Sequence, residues 1–280
     1  MLEKIPPWEY NMYKLKMSDY TSMRTGGVAR AQIVTDTSFL KYNKQLILGL
    51  GTNTLFSDEG YDGEVLIMRN SSFQIDGNVV TAESGTPLPI LSRAVAQSGL
   101  SGLEWACGIP GSVGGAIVMN AGAYGGEIAD VLLSVDVLTF GGKVTVSASE
   151  LTSSYRTIQG LPDGVILSAK FALKTTSAET VKRTMQSFAE KRKASQPTGR
   201  TLGSTFKKAN GKSAGKYIDE AGLKGYRIGG ARVSEKHANF ILSEGGTSAD
   251  VRKLIDYIKL RVYATFGVKL AEEIKYAGEF

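Results

Sequence analysis

The sequence predicts an α+β protein in two regions: a larger glycine-rich one reaching to about residue 193, and a smaller α/β one after it. Three observations carry this. Short apolar runs of strand length, bounded by Gly, Asn or Asp, recur through the first region. Only a few segments have helical spacing, and the clearest lie near or beyond residue 177. The composition shifts after Gln196-Pro197. A chain of 280 residues holds one large domain or two to three small ones.

AQIVT (31–35), QLILGLG (45–51) and EVLIMR (64–69) read as strands. FQIDGNVVTAESG (73–85) reads as a hairpin around Asp76-Gly77. In LPILSRAVAQSGL (88–100), Leu88, Leu91, Val95 and Leu100 nearly line one helical face. The stretch 106–127 holds seven glycines; it is too glycine-rich for an ordinary helix and too apolar for a flexible linker. Residues 131–146 predict a hairpin turning at Gly141-Gly142, and 165–173 a strand. The 177–195 helix has Ser177 as N-cap and Glu179 near the positive end of its dipole. In the second region, 212–223 predicts a helix ended near Gly222, and HANFILS (237–243) a strand. Residues 247–267 predict a long amphipathic helix capped by Thr247 or Ser248 and closed by Gly267. The tail KLAEEIKYAGEF is strand-like.

The net charge is +6, but the basic residues are scattered and the densest run is Lys191-Arg192-Lys193. No nucleic-acid partner is expected; a small anionic ligand fits the mild excess. Cys107 and His237 are each the single residue of their type. That excludes an internal disulfide, a cysteine-based zinc site and any Cys–His or two-histidine mechanism, and no metal site is expected. The N-terminus carries Glu3 and Glu9 and has no long apolar core, so it does not read as a secretory leader. No apolar stretch of ~18 residues exists, so no membrane span is expected and the cytoplasm is the expected location.

GLGTNT places Gly49, Gly51, Thr52, Asn53 and Thr54 after an apolar strand, where backbone amides and hydroxyls suit a phosphate. A strand-ending turn is the other reading. Gly108, Ile109, Pro110, Gly111, Ser112, Gly114, Gly115 and Ala116 form a backbone stripped of side chains that can lie against a pyrophosphate or a planar ring; Asn120, Gly122 and Ala123 follow. A P-loop over 211–216 is excluded, because Phe206 stands where its first glycine belongs. GSTFKKA (203–209), Tyr155-Arg156, His237 and Glu272-Glu273 carry little specificity individually.

Their joint order does. TSMRTGG (21–27), GLGTNTLFSD (49–58), SGLEWACGIPGSVGGAIVMNAGAYGGEI (101–128), SYR (154–156), GSTFK (203–207), AGLKGYRIGGARVSEKHANF (221–240) and LAEEIKYAGEF (270–280) together resemble the UDP-N-acetylenolpyruvoylglucosamine reductase family, in its shorter second type. The resemblance implies a two-subdomain FAD-binding fold of the vanillyl-alcohol-oxidase (PCMH) type followed by a smaller α/β substrate-binding domain. The expected division is 1–70 and 71–193 for the FAD-binding subdomains and 194–270 for the substrate domain, with the tail 271–280 packing back on the first part. It further implies bound FAD, NADPH as hydride donor, UDP-N-acetylglucosamine enolpyruvate as substrate, and a monomer.

Carried over residue by residue, 49–54 and 108–123 match the family's FAD segments. Arg156 matches the arginine facing the substrate carboxylate, Ser204 the proton donor and Glu273 the glutamate that stabilises the enol form. Tyr155, Lys207 and His237 match substrate contacts. Two departures stand out. Lys208-Ala209 replaces a familiar Asn-Pro, and Leu270-Ala271-Glu272-Glu273 replaces Leu-Glu-Pro-Glu, so the register between Glu272 and Glu273 is set only by alignment to Ile274. Another FAD oxidoreductase, or a non-catalytic flavin or nucleotide-sugar binder, has no reason to carry Arg156, Ser204 and Glu273 together.

Overall fold

The computed structural model describes residues 12–280. The reading of the N-terminus as lacking a leader falls largely on 1–11, outside the described residues. The chain forms two compact units, the first drawing on 31–50 and 64–192, the second on 14–30, 51–63 and 193–280.

The first unit is organised by a five-stranded antiparallel sheet in the order 142–147, 132–139, 165–172, 79–83, 73–76. The expected 73–85 hairpin is present, with Gly77 in the left-handed turn (φ +58°). Alternation along Leu132–Thr139 is broken once. An extra residue at Leu133, between the Leu132↔Phe171 and Ser134↔Lys170 pairs, lets both Leu132 and Val135 face the core. Helix α1 (Leu88–Gln97) lays Leu88, Leu91 and Val95 into that core, and each such side chain contributes about 1.5–3 kcal/mol by burial. It stops earlier than its spacing suggested: Ser98 caps it, Gly99 turns left-handed, and Leu100 joins a short strand paired with Lys174–Thr175. The hairpin at 132–147 turns at Phe140-Gly141, and Gly142 pairs with Thr139 instead of turning.

The glycine-rich stretch does form a short helix, α2 (Val113–Val118). Ser112 caps it by accepting from the Gly115 amide at 3.3 Å, and Val113, Ala116 and Ile117 supply the buried i, i+3, i+4 stripe that glycine content obscured. Helix α3 (Ala178–Ser195) begins where expected, with the Thr180 amide donating to Ser177 Oγ at 3.1 Å.

In the second unit, helix α5 (Ser248–Phe266) buries Val251, Leu254, Ile255, Ile258 and Val262. Thr247 and Asp250 cap it reciprocally, each backbone amide donating to the other's side chain at 3.1 Å, and Gly267 closes it at φ +68°. Helix α4 (Ala214–Glu220) is shorter than expected because Ala209 and Lys212 exchange backbone hydrogen bonds just before it. The expected strand 237–243 begins only at Ile241. Ser234 Oγ accepts from the Lys236 and His237 amides, and the Phe240 amide closes a turn on the His237 carbonyl, so 237–240 is bent. Strand Lys275–Ala277 pairs in parallel with Thr54–Phe56.

Among the described residues no helix is long and apolar enough to cross a membrane, and no group of three His, Cys, Asp or Glu side chains is arranged to hold a metal ion.

Candidate active site

The first unit brings the two glycine segments together. A Cβ on Gly49 would lie 2.3 Å from Ser112 Oγ, so a side chain there would have to displace the hydroxyl that caps α2. Arg69 fixes the turn by donating to the Gly49 carbonyl at 2.8 Å. Beside it the Gly111 carbonyl accepts from the Leu88 amide and the Gly114 amide donates to the Ser84 carbonyl. Pro110 and Gly115 are exposed, Gly108, Ile109 and Gly111 are half-buried, and Ala116 lies in the core. Neither 49–57 nor 108–126 contains a carboxylate. Bare backbone, hydroxyls and no negative charge fit the pyrophosphate of a dinucleotide cofactor.

Tyr155 and Arg156 form the two-residue turn between strands Thr152–Ser154 and Thr157–Gln159. Arg156 adopts φ +60°, a strained conformation for a residue with a side chain. Its guanidinium sits 5.2 Å from the centre of the Tyr155 ring and donates to the Gly122 carbonyl at 3.2 Å. Asn120 is buried, and its side chain donates to the Ser154 carbonyl at 3.2 Å and accepts from the Ala129 amide at 3.1 Å. Ala123 pairs with Gly126 in the short ladder that follows.

In the second unit, the backbone of 204–207 runs between two partners. On one side Ser204 bridges Phe240 and the Thr205 amide donates to the Asn239 carbonyl at 2.8 Å. On the other the Glu273 amide donates to the Thr205 carbonyl at 2.8 Å and the Lys207 amide to the Ala271 carbonyl at 2.9 Å. Ser204, Lys207 and Glu273 are thereby brought together. Gly51, Thr52, Asn53 and Thr54 lie in this unit; Asn53 Nδ2 donates to the Glu273 carbonyl at 3.1 Å and the Asn53 carbonyl accepts from the Lys275 amide at 2.8 Å.

The two neighbouring glutamates differ. Glu272 accepts from Lys259 Nζ at 2.8 Å. Burial pushes its carboxyl up, but the Lys259 ammonium, a backbone hydrogen bond and Arg252 outweigh this and hold it below the usual carboxylate range. Glu273 is anchored through its backbone, to Thr205 and Asn53, and Glu272 pairs with Phe206 in the same ladder.

His237 is partly buried, and burial lowers its pKa, with Lys224 adding to the effect. Its Nδ1 accepts from the Asn239 amide at 3.3 Å, which leaves Nε2 as the protonated nitrogen of the neutral ring. Sequence reasoning missed Asn239. Its buried side chain accepts from the Phe206 amide at 3.0 Å and donates to the Phe206 carbonyl at 2.9 Å, replacing a strand partner for the segment that carries Ser204 and Lys207. Partners 33 residues apart leave no local pattern to find.

Comparison with known proteins identifies the family. Residues 39–147 match a family model described as an FAD binding domain, and 195–277 match the C-terminal domain of UDP-N-acetylenolpyruvoylglucosamine reductase. The reductase of Caldicellulosiruptor bescii is 41% identical, over 94% of this chain and 90% of its own length. That of Thermotoga maritima is 41% identical, over 93% and 96%. The crystal structure of the enzyme from Thermus caldophilus superposes with a TM-score of 0.87 at 35% identity, covering 96% of this chain and 99% of the other. The fold is therefore the two-domain α+β FAD-binding fold, FAD is the cofactor its first domain is built for, and the chain belongs to the UDP-N-acetylenolpyruvoylglucosamine reductase family.

Proposed function

We propose that this protein catalyses the NADPH-dependent, FAD-mediated reduction of UDP-N-acetylglucosamine enolpyruvate to UDP-N-acetylmuramate, in the synthesis of peptidoglycan precursors. The observation that carries the reading is the backbone ladder that sets 271–273 beside 204–207, with the Glu273 amide donating to the Thr205 carbonyl at 2.8 Å.

FAD held by the glycine segments and reduced by NADPH would supply a hydride to the terminal carbon of the enolpyruvyl alkene. Negative charge then develops on the adjacent carbon and spreads into the carboxylate. Arg156 holds that carboxylate; a planar guanidinium suits both its geometry and its growing charge. Glu273 stabilises the enol form. Ser204 gives its hydroxyl proton to the carbon beside the carboxylate; a hydroxyl is a weak acid, but the acceptor is a strong base. Tyr155, Lys207 and neutral His237 contact the nucleotide sugar. The cofactor set is Gly49, 51–54, 108–112, 114–116, Gly122 and Ala123; the buried Asn120 side chain is turned into the protein, onto Ser154 and Ala129. On this reading 1–70 and 71–193 are the cofactor subdomains, 194–270 is the substrate domain, and the protein works as a cytoplasmic monomer.

The test is a pair of half-reactions in a stopped-flow instrument. NADPH bleaches the yellow protein, and the enolpyruvyl nucleotide sugar then restores its colour. A protein that takes up no FAD, or that is bleached and not recoloured, contradicts the proposal.

A further inference from the structure

Asn120 lies in the glycine-rich cofactor stretch, but its side chain points into the protein. It is 1% exposed and holds a left-handed backbone (φ +37°). Its amide group joins two segments of the first unit, donating to Ser154 and accepting from Ala129. Ser154 is the last residue before the Tyr155-Arg156 turn. Two residues beyond Asn120, the Gly122 carbonyl receives the Arg156 guanidinium. Gly122 is itself wedged: a Cβ there would lie 2.6 Å from the Gly126 carbonyl oxygen and 2.7 Å from Glu127 Cβ. Behind it Gly126 presses on the buried Trp105 indole, where a Cβ would come within 2.4 Å of Cδ1. Trp105 in turn donates to the Gly102 carbonyl at 3.0 Å. The hairpin that carries Arg156 is a three-pair ladder that reaches the core through Ile158, while Tyr155 at its turn is exposed.

We infer that Asn120 is a positioning residue for Arg156 and not a ligand of the cofactor: its side-chain amide latches the turn that carries the guanidinium to the rigid Gly122–Gly126–Trp105 stack. The importance of Arg156 rests on the proposed reaction; the latch rests on the hydrogen bonds alone.

Asn120→Gly tests this, because glycine keeps the left-handed backbone and removes both side-chain bonds. Asn120→Asp keeps the acceptor for Ala129 and loses the donor to Ser154 at neutral pH. As pH falls and the buried carboxyl protonates, its O–H becomes a donor again. Four readouts are taken on the FAD-loaded protein: flavin content, flavin reduction by NADPH, reoxidation by the enolpyruvyl substrate, and amide hydrogen exchange over 152–159.

Flavin content stays at the wild-type level, and reduction stays within about threefold. Reoxidation falls about 10- to 100-fold, as a displacement of the order of an ångström produces. Exchange over 152–159 quickens. The Asp variant matches the Gly variant at neutral pH and regains reoxidation on the acid side, relative to wild type, in which the neighbouring Glu127 and Asp130 are unchanged. A folded variant that loses FAD, an equal loss in both half-reactions, or unchanged reoxidation overturns the inference. If Asn120→Gly does not fold, the pH profile of Asn120→Asp decides alone. If wild type itself fails to reduce the substrate, the proposed function falls, and the exchange measurement still decides whether the latch exists.

Discussion

The two regions that carry the proposed reaction are built in opposite ways. In the second unit, Ser204 and Glu273 ride on backbone that is bonded on both sides, to Asn239 and Phe240 and to 271–273. In the first, Arg156 stands at a two-residue turn with positive φ, held by the Asn120 amide and the Gly122 carbonyl. A group in a ladder is placed by many main-chain bonds and resists single side-chain changes. A group at a turn depends on one or two latches, so its placement can be lost while the fold survives.

The comparison is sharpened most by Glu273→Gln, which should slow substrate-driven reoxidation about 10²- to 10⁴-fold, the range for a group that stabilises or transfers charge in the transition state. Glu272→Gln should leave that rate nearly unchanged; a larger loss in Glu272→Gln would move the catalytic role by one residue. Gly49→Ala probes the cofactor side. Forcing a Cβ against Ser112 costs about 1–3 kcal/mol, which weakens FAD binding roughly 10- to 100-fold at about 1.4 kcal/mol per tenfold. Titration of apoprotein with FAD reads this directly.

Asn239→Ala strips the Phe206 peptide of both partners, and thermal or urea unfolding should report a loss of about 1–3 kcal/mol per unsatisfied buried group. If it alters only kinetics and leaves stability unchanged, the ladder is not what holds this region. The smallest effect concerns Glu272. Its folded-state carboxyl is held below its ordinary value of 4.5. Its ion pair with Lys259 is therefore fully stabilising above that value and is lost as pH falls through the folded one. The side chains are partly exposed, so Glu272→Gln should cost only about 0.2–1 kcal/mol at neutral pH, and the difference from wild type should vanish in acid.

Much of this was legible in the residues. Helix α5 announced itself by its apolar stripe, the Thr247–Asp250 box and Gly267, all local in sequence. The 73–85 hairpin did so by alternation around Asp76-Gly77. What failed to show were features made by distant partners. The 237–240 turn depends on Ser234 Oγ, which no alternation pattern registers. Helix α2 was hidden because its buried stripe of Val113, Ala116 and Ile117 is interrupted by the glycines that bring backbones together. The two asparagine latches join residues 33 and 34 positions apart, and an asparagine two residues from a glycine or a histidine gives no sign of such a bond. The identity of the candidate site residues came from the order of whole segments; the geometry that holds them had to be seen.

The most direct test of the account is Ser204→Ala followed through both half-reactions. Flavin reduction by NADPH should proceed at close to the wild-type rate, and reoxidation by UDP-N-acetylglucosamine enolpyruvate should be nearly abolished, by about 10²- to 10⁴-fold. Reoxidation at the wild-type rate would contradict the account, because the proton would then come from somewhere other than Ser204.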